Sequence, residues 1–190
     1  MTAQPWLPVT EGQALRFFFE HLRDIADVRA APESELLYNA SVLAHFATTS
    51  TAAIDFPSAP VSLGTVFDLF VLDRSETVDP DILEAAASQC LLLTGFFGAQ
   101  LRHRYNLAWY AKLGASFFER AAVLGAAASG QAAGQSHGGA ISARTAKADE
   151  RRARSVMMHS MAGRFAYWRR QQARLAKELH DLPKLVGQVH

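Results

Sequence analysis

Arg151, Arg152, Arg154, Arg164, Arg169, Arg170, Arg174 and Lys177 gather around Tyr167 and Trp168 in one stretch of the chain. Cations beside aromatic rings are the combination that tracks a phosphate backbone and stacks bases, so a polyanion or nucleic acid is one partner this stretch could hold. The polyanion candidates are Arg151, Arg152, Arg154, Arg169, Arg170, Arg174 and Lys177. The same pattern arises when arginines form the solvated face of an amphipathic helix, or pair with an acidic body, while Trp168 sits in the core. Arg164 precedes Trp168 by four residues, which suits a cation–π contact within one helix. A basic helix lying on a membrane surface is a third reading. No recognised nucleic-acid motif accompanies the charges.

The seven histidines raise the question of a metal, and their spacing answers against one. There is no Glu-x-x-His or His-x-x-x-His pair, and no histidine clusters with Cys90, so ligands sharing one helical face are missing. Glu20-His21 and His180-Asp181 are adjacent pairs, which point to different faces of a helix. His45 lies beside an apolar stripe and reads as a satisfied core histidine. Gly125-Ala-Ala-Ala-Ser-Gly130 has the glycine spacing of a phosphate-binding loop, but Gln131-Ala132 stand where lysine and a hydroxyl are needed. Gly114-Ala115-Ser116-Phe117 lacks the last glycine of a nucleophile elbow. Cys90, mid-helix among leucines, is expected to be an inert thiol. No catalytic residue, metal or cofactor is assigned. One enclosed site is still conceivable, a cavity between the fourth and fifth helices lined by Phe96, His103, Trp109 and Tyr110, taking a small molecule or an enzyme's substrate.

The elements that would position these groups are helices. Thr10-Glu-Gly-Gln13 has capping-box form and starts a helix predicted over 11–30, with Ala14, Leu15, Phe18, Leu22, Ile25 and Ala26 inward. A second runs over 32–51, with Leu36, Tyr38 or Asn39, Leu43, Phe46 and Ala47 inward. Pro57 and Pro60 mark a loop, and a third helix follows over 62–73. Asp79-Pro80-Asp81 is a start signal for a fourth helix reaching residue 104, its line being Ile82, Ala86, Cys90, Leu93, Phe97 and Leu101. Gly95 and Gly98 interrupt it, as a kink or a close approach of another backbone. Asn106 caps a fifth helix to residue 124, whose stripe is Leu107, Tyr110, Gly114, Phe117, Ala121 and Leu124, widened by Trp109, Leu113 and Phe118. Residues 125–145, rich in Ala, Gly, Ser and Gln, read as a flexible connection, partly helical at its Ala-rich start. One long helix over 146–182 closes the chain, with Met157, Met161, Phe165, Trp168, Leu175, Leu179 and Leu182 inward and Pro183 as its stop.

No stretch alternates with the period of a strand, so the fold class is all-α: a helical bundle of about six helices with a long basic C-terminal helix. With 190 residues, 49% of them apolar, residues 1–190 are expected to form one domain. Net charge is +1, but residues 1–143 carry −6 and residues 144–190 carry +7, so an acidic body and a basic segment can neutralise each other. A lone cysteine fits a reducing compartment, the first residues lack a signal-peptide pattern, and 85–101 is short for a bilayer span; the expectation is a cytoplasmic protein with no membrane span.

Leu91-Leu-Leu-Thr-Gly-Phe-Phe-Gly98, Tyr105 to Tyr110, and Lys112-Leu-Gly-Ala-Ser-Phe117 resemble an uncharacterised family of bacterial all-helical proteins. Its pattern is Ser/Thr-Gly-Phe-Phe-Pro-Glu followed by Tyr-Tyr and Met-Gly-x-x-Ala-Tyr. The resemblance spans about residues 35–122. This chain departs from it at Ser88-Gln89 for Gly-Asp, at Gly98-Ala99 for Pro-Glu and at Leu113 for Met. The resemblance implies a helical bundle with no assigned activity. The expected role is non-catalytic binding or protein–protein interaction, as a homodimer or with another protein partner. Polyanion binding by the basic helix and a small-molecule site between helices four and five are the alternatives.

Overall fold

Thr10 and Gln13 start the first described helix as a reciprocal cap. The Thr10 hydroxyl accepts from the Gln13 backbone N–H at 3.3 Å, and Gln13 Oε1 accepts from the Thr10 N–H at 3.0 Å. The computed structural model describes residues 10–26, 31–52, 79–134 and 141–186, with the backbone alone at 49–52, 129–134, 141–145 and 181–186. Seven helices occur among the described residues, and no strand. The predicted loop at 54–60 and helix at 62–73 lie outside them.

The chain forms two compact units, residues 1–61 and 62–190. In the first unit, α1 (Glu11–Ile25) packs on α2 (Glu33–Ala52). Ala14, Phe18, Leu22 and Ile25 are buried at helical spacing on α1, as the periodicity requires. On α2 the inward positions are Leu36, Asn39, Ala40, Leu43 and Ala44, so Asn39 and not Tyr38 faces the core. Asn39 Nδ2 donates to the Glu35 carbonyl at 2.8 Å, which satisfies part of its buried amide. His45 is exposed, so the core histidine expected there is a surface residue.

The second unit is built on α3 (Pro80–Thr94), α4 (Gly98–Leu101), α5 (Leu107–Gly134), α6 (Ile141–Gly163) and α7 (Phe165–Val186). Asp79 caps α3, its carboxylate accepting from the Asp81 N–H at 2.9 Å, with Pro80 in the first turn. α3 is buried nearly all round, at Leu83, Ala86, Ala87, Cys90, Leu91, Leu92, Leu93 and Thr94. It is the axis on which α5 and α7 pack. Ile82, assigned inward on periodicity, is half exposed, because the buried face of α3 at this level is the one carrying Leu83, Ala86 and Ala87.

Four boundaries differ from the sequence reading. α1 ends at Ile25 with its cap at Ala26, short of residue 30. The fourth predicted helix does not reach residue 104: it stops at Thr94, turns at 95–97 and resumes only as α4. A Cβ at Gly95 would lie 3.0 Å from Gln172, so the turn occurs where another helix presses on the backbone. The supposed flexible connection is helical over 125–134 and again from Ile141, since alanine is the strongest helix former and outweighs the scattered glycines. The long C-terminal helix is two, parted at Arg164, and α7 continues past Pro183 to Val186.

Candidate functional site

Five contacts fix the levels of the helices in the second unit. The Arg154 guanidinium lies 3.1 Å from Asp81 and 2.7 Å from Glu84, tying α6 to the first turns of α3. Ser155 Oγ donates to the Ala122 carbonyl at 2.6 Å, and His159 Nδ1 meets Glu119 at 2.8 Å. A Cβ at Gly114 would stand 2.7 Å from both Cys90 Cβ and the Phe165 ring. One at Gly95 would meet Gln172 at 3.0 Å. Residue numbers rise together along α3 and α6–α7 and fall along α5, so α5 is antiparallel to the other two.

This register divides the predicted site residues between opposite ends of the unit. Arg151, Arg152 and Arg154 lie at the end where α3 begins, beside Asp79, Asp81 and Glu84. Arg169, Arg170, Arg174 and Lys177 lie at the other end, level with the close of α3 and the start of α5. Phe96, His103, Trp109 and Tyr110 belong to that same end, so the small-molecule candidates and half of the polyanion candidates share one region. Position on the helix wheel brings some of them to one surface too. The exposed Glu119–His159 pair marks the outer seam between α5 and α6. Lys112 precedes Glu119 by seven residues, and Arg170 and Lys177 follow His159 by eleven and eighteen, all close to whole turns. Backbone bonds from Arg164 N–H to the Ser160 carbonyl and from Trp168 N–H to the Arg164 carbonyl, both 3.0 Å, carry that phase through the α6–α7 junction.

The aromatic groups follow the sequence reading at Trp168 and depart from it at Arg164 and Trp109. Trp168 is fully buried, and Arg164 lies over the Tyr167 ring at 4.9 Å instead of over Trp168. Trp109, expected to widen the inner stripe of α5, is 38% exposed. Its ring meets Tyr110 edge to face at 4.9 Å, and Tyr105 meets the same Tyr110 at 6.3 Å, so one ring buttresses two. Asn106 holds this turn, its Oδ1 accepting from the Trp109 N–H at 3.2 Å. Phe96 packs edge to face on Phe97 at 5.1 Å, and the exposed His103 accepts from Arg102 Nε at 3.1 Å. Arg174 donates to Gln171 at 3.4 Å. Among the described residues no carboxylate lies within ion-pair distance of Arg151, Arg152, Arg169, Arg170 or Lys177.

A signal for this charge separation is present in the sequence and is easily passed over. Neither 85–118 nor 151–177 contains a single Asp or Glu. These two runs include the parts of α3, α5 and α7 that the register places side by side.

Between these helices the closest approach is at Gly114, which sets α3, α5 and α7 in direct contact. Burial pushes the Cys90 thiol up from 9.0 to about 12, so it stays protonated and unreactive near neutrality. Among the described residues no three His, Cys, Asp or Glu side chains group as a metal site would need. A cleft of about 470 Å³ does occur in the first unit, open to solvent and lined by Gly12, Leu15, Arg16, Phe19, Glu33, Ser34 and Leu37. Arg16 there is tied to Glu20 at 3.0 Å, and the remaining lining is largely apolar. Among the described residues no helix is long and apolar enough to cross a membrane. No family model, curated protein or solved structure matches this chain.

Proposed function

We propose that the protein is a non-catalytic helical-bundle binding protein that works by surface contact with another chain, in the simplest case a second copy of itself. Val123 and Val156, 60% and 65% exposed, carry this reading. They neighbour Ala122 and Ser155, the residues joined across the α5–α6 seam, so both flank one junction. Large apolar side chains presented together on a rigid two-helix surface are the kind of patch that a partner covers. The resemblance over about residues 35–122 and the lone buried cysteine support a bacterial cytoplasmic protein. Light scattering across a range of concentrations tests the dimer. The expected mass is twice 20.8 kDa, and V123E/V156E should reduce it to a single chain without changing the helical signal. A single-chain mass for the parent at every concentration removes this reading.

A second reading is polyanion binding, supported by Arg151, Arg152, Arg169, Arg170 and Lys177, which form no ion pair among the described residues. Retention on immobilised heparin that is lost as salt rises tests it, because phosphate-like and sulfate-like contacts release counterions.

A further inference from the structure

We propose that the end of the second unit where α3 closes and α5 begins binds single-stranded nucleic acid, the strand's phosphates on Arg104, Lys112, Arg170 and Lys177 and its bases on Tyr105 and Trp109. The inference rests on the polyanion reading and adds to it the partner and the place.

Charge comes first. The two carboxylate-free runs, 85–118 and 151–177, meet at this end through the Gly114–Phe165 and Gly95–Gln172 approaches. Glu178 is the nearest carboxylate that follows Lys177 in sequence, and none of the four cations named forms an ion pair among the described residues. At the opposite end Arg154 is held by Asp81 and Glu84, which shows how this protein neutralises an arginine when the carboxylates are present. A surface of one sign, left uncompensated on a rigid frame, attracts a chain of the other sign.

The aromatic rings choose among polyanions. Tyr105 and Trp109 are 37% and 38% exposed, and both lean edge to face on Tyr110. Two ring surfaces held in place before a ligand arrives suit unstacked bases, which every single strand offers and a duplex hides. Heparin has no bases to stack; an anionic bilayer also accepts Trp and Tyr at its interface, and competition by vesicles separates it from a single strand. Lys112 is three residues from Trp109 on α5, and Arg170 is level with Trp109 on α7, so phosphate and base contacts fall within one strand's reach.

The test uses a fluorescein-labelled oligothymidine of about 15 nucleotides, matching the footprint of single-strand binders. Its duplex, heparin and phosphatidylserine vesicles serve as competitors. Anisotropy should report binding of the single strand in preference to the duplex. W109A should weaken it at least about fivefold. R170E/K177E should lower the slope of log affinity against log salt by about 1.4, two phosphate contacts' worth for a single strand. K147E, at an exposed position of α6 toward the far end and outside the candidate set, should leave affinity within about twofold, and circular dichroism should show every variant folded. Duplex preference, vesicle binding without oligonucleotide binding, or unchanged affinity in W109A would overturn the proposal. Heparin binding together with an unaffected W109A overturns it while leaving the polyanion reading intact; failure to bind any polyanion removes both.

Discussion

Both ends of the second unit are packed on apolar side chains, Leu83 and Met158 at one and Phe165 and Trp168 at the other, but only one carries a charged latch outside. At the end where α3 begins, a polar latch on the surface joins the helices, Arg154 reaching Asp81 and Glu84. At the end where α3 closes, the joint is internal: Gly114 lets Cys90 and Phe165 approach, and Trp168 is fully buried in α7. The contrast explains why charge can accumulate outside the second end. Where packing supplies cohesion, like charges on the surface cost little, because solvent and salt screen them. The end that depends least on its charges is the one free to use them.

Four measurements press on this contrast, from the largest effect to the smallest. Trp168→Ala should destabilise the second unit by about 3–5 kcal/mol in urea titration, the usual cost of emptying an aromatic site in a core. A loss below about 1 kcal/mol would mean that packing is not what holds this end. Gly114→Ala should cost about 1–3 kcal/mol, because its Cβ would stand 2.7 Å from Cys90 and Phe165. Gly125→Ala on the same helix should be neutral or stabilising by up to about 1 kcal/mol, since its Cβ would sit 3.7 Å from Ser155. Equal effects at the two glycines would erase the distinction.

The third measurement is a pH titration of stability. The Cys90 thiol is raised from 9.0 to about 12 by burial, so the folded state holds its proton more tightly than the unfolded chain does. Its contribution is complete below pH 9 and shrinks as pH climbs toward 12, by up to about 1.4 kcal/mol per pH unit. Thiol reagents should label Cys90 only after unfolding in that range. The smallest effects concern the surface. Arg154→Ala should cost less than about 1 kcal/mol, and less still at high salt. Arg170→Ala should change stability by no more than about 0.5 kcal/mol in either direction. A larger loss at Arg170 than at Arg154 would reverse the assignment of the two ends.

Helix starts were legible in the sequence because each is a local bargain among a few neighbours. Thr10 with Gln13, Asp79 with Pro80, and Asn106 all act as their side chains suggest. Helix ends were less legible. Glycine at 125 and 130 and proline at 183 read as breaks, yet alanine-rich surroundings and the rest of the helix carried the backbone through. The break that does occur falls at Gly95, as its glycine suggested, but the residue lying against it there, Gln172, is seventy-seven residues away. Inward and outward assignments failed at Ile82, His45 and Trp109 for a related reason. Ile82 and His45 each stand beside a fully buried residue, Leu83 and Ala44, so the buried face is chosen by the helices that pack on it and not by spacing alone. The candidate surface was hidden for the same cause: its residues are ordinary one by one, and only the antiparallel register of α5 brings Lys112 and Trp109 level with Arg170.

α5 also has more length than α3 requires. Its 28 residues extend about 42 Å, against about 22 Å for the 15 of α3. The excess, from about Gly125 to Gly134, runs beyond the level where α3 begins, and it is made of alanine, glycine, serine and glutamine. Side chains of that size remove little apolar surface from water for each backbone bond they accompany. Amide hydrogen exchange should therefore be graded along this single helix: slow from Gly114 to Ala122, quick past Gly125, with opening that starts at the far tip and travels inward.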